Sequence, residues 1–249
     1  PNTISRRIER RMALIDIGDV EDYAARVEVD PEELNALYHD LLIGVTRFFR
    51  DSDAFAVIER DVVPRLVRES PELDVRVWVC GCATGEEAYS LAMLIDECCE
   101  REGSHKRAKI FATDVHPGSL EIASNGVYDP KALEQTPPEL IEKYFLYEDG
   151  RYRVKPSLRQ QIVFSEHDIL RDPPFTRIDL VSCRNLLIYF ESHAQKMALS
   201  MFHFALRQNG VLFLGSSETL GPLEDEFETM QHKWKIFTKT RDQPVSSNT

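Results

Sequence analysis

Apolar positions along this chain change period near residue 70. Before it they recur every three or four residues: Ile4, Ile8 and Met12 with arginines on the other faces, then Phe55, Ile58, Val62 and Leu66. That spacing puts each set on one face of a helix. Asp30-Pro31-Glu32-Glu33 supplies a helix start, with Asp as N-cap, Pro in the first turn and a carboxylate three residues on. Beyond Glu69-Ser70-Pro71-Glu72, the best linker candidate, the period falls to two, and Val75, Val77 and Val79 alternate with Arg76 and Trp78 as in a strand. A glycine turn over 80–85 and a helix over 86–101 follow, then a second strand at 110–113 that ends on Asp114. Further along come a strand at 178–183, a helix from about 191 to 207 and a strand at 211–214. Strands separated by helices imply βαβ units and a mainly parallel sheet, an α/β fold. The expected division is an N-terminal helical domain over 1–70 and an α/β domain over 71–249. The latter carries a small β insert at about 127–163, with a helix start at Thr136-Pro137-Pro138-Glu139 and a hairpin turning on Asp149-Gly150. Residues 244–249 read as a frayed tail or the start of a linker.

Composition narrows the function classes. With 43% apolar and 29% charged residues the chain is too apolar to be disordered. Its longest apolar runs are about five residues, against about 20 needed to cross a bilayer, and PNTISRRIERR at the start lacks a secretory stretch. A soluble cytoplasmic chain is expected, with no membrane insertion. Among 249 residues, 30 Lys+Arg against 42 Asp+Glu give a net charge of -12, which argues against nucleic acid as partner. The exception is the first helix, where Arg6, Arg7, Arg10 and Arg11 face only Glu9. Five cysteines, including Cys80-Gly81-Cys82 and Cys98-Cys99, match neither zinc-site spacing nor a disulfide framework. They read as reduced thiols, and no metal is expected.

Candidate chemistry begins at the turn after the first strand, Gly81-Cys82-Ala83-Thr84-Gly85-Glu86-Glu87. Glycines there let backbone approach a ligand at the carboxyl end of a strand, where open α/β sheets bind ligands. No Lys-Ser/Thr follows, so it is not a P-loop, and the full dinucleotide fingerprint is absent. The carboxylates would repel a pyrophosphate and suit hydroxyls or an ammonium. Asp114, at the end of the next strand, is placed to bind ribose hydroxyls. A cofactor with a nucleoside, no phosphate and a positive charge is S-adenosylmethionine. The same residues also suit a plain strand–turn–helix with a capping glutamate.

Five stretches resemble the CheR-type chemotaxis receptor methyltransferases: Thr46-Arg47-Phe48-Phe49-Arg50; Val77-Trp78 on to Gly85-Glu86-Glu87-Ala88-Tyr89-Ser90; Phe111-Ala112-Thr113-Asp114; Ser182-Cys183-Arg184-Asn185-Leu186-Leu187-Ile188-Tyr189; and Leu212-Phe213-Leu214-Gly215-Ser216-Ser217-Glu218. They occur in family order, and the wording is most similar to versions fused to a methylesterase and sensor domains. The resemblance implies a Rossmann-like S-adenosylmethionine-dependent methyltransferase that esterifies glutamates in the cytoplasmic helical domain of a chemoreceptor, leaving S-adenosylhomocysteine. It implies cofactor contacts for Thr46, Arg50, Gly81, Glu86 and Asp114. Arg184 and Asn185 would close over cofactor and substrate, and Arg50 and Tyr189 would stand at the transfer centre. Asp168-Ile169 takes the place of a family Asn-Leu pair flanking the adenine, an acid for an amide. Gly44 stands where some members carry a cofactor-touching Asn. Arg7, Arg10 and Arg11 would read the acidic receptor. The insert between Phe145 and Arg153 is shorter than in members that dock a receptor's C-terminal peptide, so no tight peptide tether is expected. Two rivals remain: a module that binds the cofactor without transferring methyl, and a nucleic-acid amine methyltransferase suggested by Asp172-Pro173-Pro174-Phe175. The chain opens inside the family's first helix, so truncation from a longer polypeptide is expected.

Overall fold

The computed structural model describes residues 2–42 and 46–240; Gly44 and the 244–249 tail lie outside the described residues. The chain divides into two compact units, Pro1–Val45 and Thr46–Thr249.

The first unit holds helices Asn2–Leu14, Val20–Val29 and Pro31–Leu42. Asp30 caps the third as expected, its Oδ1 accepting the N–H groups of Glu32 and Glu33 at 3.0 and 3.2 Å. The middle helix, capped by Asp19, went unread because its only buried side chain is Tyr23, too few for a period. Glu33 is 6% exposed and ties the unit together. It accepts from Arg11 Nε and Nη2 at 3.0 and 2.5 Å and from the Tyr23 hydroxyl at 2.8 Å. The Arg11 guanidinium holds the Glu33 carboxyl below its ordinary range, while burial pushes the Tyr23 phenol up to about 12. Arg11→Ala leaves this shielded carboxylate with a single donor. We expect the helical unit to lose about 1–3 kcal/mol, read as an earlier urea midpoint in far-ultraviolet circular dichroism. An unmoved midpoint would mean that water replaces the guanidinium at no cost.

The second unit opens with a long helical stretch, Ser52–Val57, a π turn Ile58–Val62, and Val63–Glu69. Pro64 has no N–H to return to an earlier carbonyl, and the Val63 N–H bonds five residues back to Ile58 O, which widens the turn. Phe55, Ile58, Val62 and Leu66 are at most 2% exposed and join the same core as the Glu86–Arg101 helix. The units therefore part at 45/46 rather than near 70: a stripe this apolar packs on the sheet instead of closing a helical domain of its own.

The strands are β1 Asp74–Cys80, β2 Arg107–Asp114, β3 Val127–Tyr128, β4 Phe145–Glu148, β5 Arg151–Val154, β6 Ile162–Glu166, β7 Ile178–Cys183, β8 Leu206–Leu214, β9 Phe227–Gln231 and β10 Ile236–Lys239. Seven form one sheet in the order β6-β2-β1-β7-β8-β10-β9. The first five are mutually parallel; β10 runs antiparallel to β8, and β9 runs antiparallel to β10. Order reverses between β1 and β7, which opens a crevice at their carboxyl ends. One sheet face packs on the helices 52–69 and 86–101; the other, which carries Trp78 and Phe111, packs on helix Ser192–Ala205 and on Phe175. The insert is a three-stranded sheet, β3-β5-β4, turning at Asp149 and Gly150 with φ of 48° and 79°. The range read as insert runs only into the first two residues of β6, which belongs to the main sheet as the partner of β2.

Candidate active site

Of the residues singled out by sequence, Gly81, Glu86, Asp114, Asp168, Ile169, Arg184 and Asn185 follow the carboxyl ends of β1, β2, β6 and β7. After Cys80 the chain turns through Gly81 and Gly85 at φ of 63° and 94°, and a side chain at Gly85 would meet Ala123 Cβ at 2.9 Å. Asp114 braces this turn. Its Oδ2 accepts the Ala83 N–H at 2.8 Å and its Oδ1 the His116 N–H at 3.0 Å, so each oxygen keeps a lone pair for a further donor. Glu86 opens the following helix, 5% exposed, and accepts from the Thr84 hydroxyl; burial raises its pKa. Tyr128, in the insert, donates to Thr84 O at 2.6 Å.

Two phenylalanines fix the Thr46–Arg50 segment. Phe48 is fully buried against Tyr128 and Phe145, edge-to-face at 4.9 and 5.4 Å, and the Phe49 N–H bonds Ser90 Oγ at 3.0 Å. Thr46 thereby lines a cavity of about 400 Å³ together with Arg47, Thr84, Glu86, Tyr128 and Lys131. Half-buried Arg50 is held by its own carbonyl, which accepts from Arg184 Nη1 at 3.1 Å.

Arg184 itself is a buried tie. With 2% of its side chain exposed it donates to Glu87 Oε2 at 3.0 Å and Asp51 Oδ2 at 2.5 Å, and stacks 4.6 Å from the Phe213 ring centre. Ser182 Oγ donates to the other Glu87 oxygen at 2.6 Å. Any hold of Arg184 on a ligand thus runs through the Arg50–Asp51 backbone. Asn185 follows at φ 59°, its Oδ1 buried without a partner. Tyr189 is 66% exposed, on the short turn Leu187–Tyr189. Asp168 closes a loop after β6, its Oδ1 accepting the Leu170 N–H at 2.9 Å, and Ile169 is buried on the sheet face that carries Trp78.

In the first unit, Arg10 is exposed, Arg7 is half-buried, and Arg11 is taken up by Glu33. Among the described residues no group of three His, Cys, Asp or Glu could hold a metal ion, no helix is long and apolar enough to cross a membrane, and all five cysteines are free and buried. Sequence reasoning missed Asp51, Glu87 and Glu218. Asp51 and Glu87 adjoin Arg50 and Glu86, which it did select, and Glu218 closes the Leu212-Phe213-Leu214-Gly215-Ser216-Ser217-Glu218 stretch, the available signal for it.

Comparison with known proteins agrees with this layout. The all-alpha domain of CheR methyltransferase matches residues 1–42, and the CheR methyltransferase SAM binding domain matches residues 44–236. A 104.1 kDa protein from the hypE 3' region of Rhodobacter capsulatus is 44% identical over 97% of this chain, which spans only 25% of that protein's length. Chemotaxis protein methyltransferase 1 of Pseudomonas aeruginosa is 32% identical over 92% of this chain and 85% of its own. The chemotaxis protein methyltransferase of Listeria innocua is 35% identical over 80% and 74%. A glycine turn braced by Asp114, carboxylates at the helix start and both family domains in order place the chain in the CheR methyltransferase family, enzymes that use S-adenosylmethionine.

Proposed function

We propose that this chain methylates glutamate side chains in the helical cytoplasmic region of a chemoreceptor or related signalling protein, giving glutamyl methyl esters and S-adenosylhomocysteine. The observation that carries the reading is the pairing of an acidic crevice with an arginine, Arg50, whose backbone is clamped by Arg184. The residues fit the cofactor: hydroxyl and carboxylate groups at Thr46, Thr84 and Glu86 line the cavity, Asp114 keeps acceptor capacity for ribose hydroxyls, and Asn185 Oδ1 is a buried acceptor without a donor. Gly81 gives that ligand close access to backbone. Asp168 and Ile169 flank the adenine on this reading.

S-adenosylmethionine, when bound, supplies an electrophilic methyl group on a sulfonium. A glutamate carboxylate is already a nucleophile at neutral pH, so the protein needs no general base. Arg50 steers the carboxylate, and the exposed Tyr189 hydroxyl holds it in line. Such positioning can lower a barrier by about 7–11 kcal/mol. Arg10, with Arg7, steers the acidic acceptor toward the enzyme; Arg11, engaged by Glu33, serves the helical unit instead. We also propose that no receptor C-terminal peptide tethers tightly to the insert, and micromolar binding of one would overturn that.

The nucleic-acid reading weakens, because Phe175 is packed on Phe111 and Trp78 at 4.7 and 5.2 Å and the Pro173 carbonyl faces His167 Nε2 at 3.1 Å. On this reading Asp172-Pro173-Pro174-Phe175 is a loop whose half-buried Phe175 packs against the core. The deciding experiment incubates the chain and receptor signalling fragments with methyl-labelled S-adenosylmethionine, then adds alkali. Glutamyl esters release labelled methanol; label that survives alkali would overturn the reading. Arg50→Ala is expected to lower methyl transfer by a larger factor than it lowers S-adenosylhomocysteine affinity. A fully active variant would remove Arg50 from the mechanism.

A further inference from the structure

Where β7 leaves the sheet, the Arg184–Tyr189 segment has to expose successive backbone N–H groups and hold Asn185 in the left-handed region at φ 59°. Asn is among the few residues with a side chain that adopt that conformation, whereas buried amides without acceptors are costly. One side chain satisfies those amides. Glu218, 3% exposed, accepts the Leu186 and Leu187 N–H groups on Oε1 at 2.9 and 2.8 Å and the Gly215 N–H on Oε2 at 2.6 Å. The Asn185 N–H bonds the same carboxylate. Burial raises the pKa of this group, and the four amides oppose the rise. The approach is so close that a side chain at Gly215 would stand 2.8 Å from both Asn185 N and Glu218 Oε2. Glycine is therefore required at 215 by contact with the carboxylate and the loop.

We propose that Glu218 is a positioning residue for methyl transfer: its carboxylate locks the segment that carries Asn185 and Tyr189 into the shape that meets the cofactor. The inference rests on the reading of Asn185 as a cofactor contact. A neutral amide at 218 would turn one oxygen into a donor facing backbone donors, so the lock needs a carboxylate and not merely a side chain of that size. Glu218 touches neither reacting group and acts wholly through the loop.

The test uses the full chain, calorimetry with S-adenosylhomocysteine and site-resolved amide hydrogen exchange. Glu218→Gln is expected to weaken S-adenosylhomocysteine binding at least tenfold and to speed exchange at Asn185, Leu186, Leu187 and Gly215 by at least tenfold. Combined with Asn185→Ala it should add less than twofold further, because both changes remove the same contact. Glu218→Asp, which keeps the charge, should restore part of the affinity, and it stands in if the Gln variant does not fold. Faster exchange or lower thermal stability with unchanged affinity would make Glu218 a structural residue only and overturn the proposal. Full additivity with Asn185→Ala would overturn it as well. If Asn185→Ala by itself leaves affinity unchanged, the cofactor assignment of Asn185 fails first and the positioning role falls with it.

Discussion

Arg184→Ala is expected to destabilise the methyltransferase unit by about 3–5 kcal/mol, the typical cost of removing one partner from a buried ion pair. The side chain is 2% exposed, while its partners Glu87 and Asp51 are 15% and 38% exposed. Removing the guanidinium leaves the Glu87 charge little access to water, and it empties a slot between Phe55 and Phe213. Typical domains have about 5–15 kcal/mol in total, so the variant should fold in the cold with a much earlier urea midpoint. Arg184→Lys should recover little, since an ammonium cannot reach Glu87, Asp51 and the Arg50 carbonyl in one planar fork. Methyl transfer should fall in both variants because the Arg50–Asp51 backbone loses its clamp. A midpoint within the error of the unsubstituted chain would show that Glu87 and Asp51 are solvated once the arginine is gone.

Asp114→Ala should weaken S-adenosylmethionine binding by at least about 1–3 kcal/mol, or some 5- to 150-fold, because a charged acceptor is lost. Two effects point the same way. The ribose hydroxyls lose their partner, and the glycine turn loses the brace that joins Asp114 to the Ala83 and His116 amides. Asp114→Asn separates them: it retains one acceptor oxygen but presents an amide donor to the turn. Calorimetry with S-adenosylmethionine reads both variants. Unchanged affinity in folded Asp114→Ala would place the cofactor elsewhere on the sheet edge.

Elements defined by local pattern were legible. Alternation at Val75, Val77 and Val79 marked β1, and the Asp149-Gly150 pair marked the hairpin, where both residues adopt positive φ. Elements with weak or absent period escaped. β9 and β10 are short returning strands near residues 227–239, and the middle helix of the first unit buries one side chain. The domain limit was misplaced because periodicity shows that a helix is amphipathic without showing what its apolar face packs on. The stripe from Phe55 to Leu66 looks the same on a helical bundle as on a sheet.

Site residues divide along the same line. Residue type and position were enough to propose Glu86 and Asp114, because the turn and strand end that carry them are local structures; Thr46, Arg184 and Tyr189 were selected only through the resemblance to the CheR-type methyltransferases. Their partners were not readable. Arg184 meets Asp51 across 133 residues and Glu87 across 97, and Glu218 reaches Leu186 across 32. A charge in the sequence does not declare whether it will face solvent, a ligand or an opposite charge. Arg11 illustrates this, looking from its helical spacing like a steering group and ending against Glu33. The order of apolar and polar residues by itself determined most of the long helices and the parallel strands β1, β2, β7 and β8, since backbone periodicity and turn stereochemistry act over a few residues. Only the tertiary structure decided which charged groups are buried as ties and which stay available to a substrate, because desolvation and ion pairing depend on what the fold brings alongside.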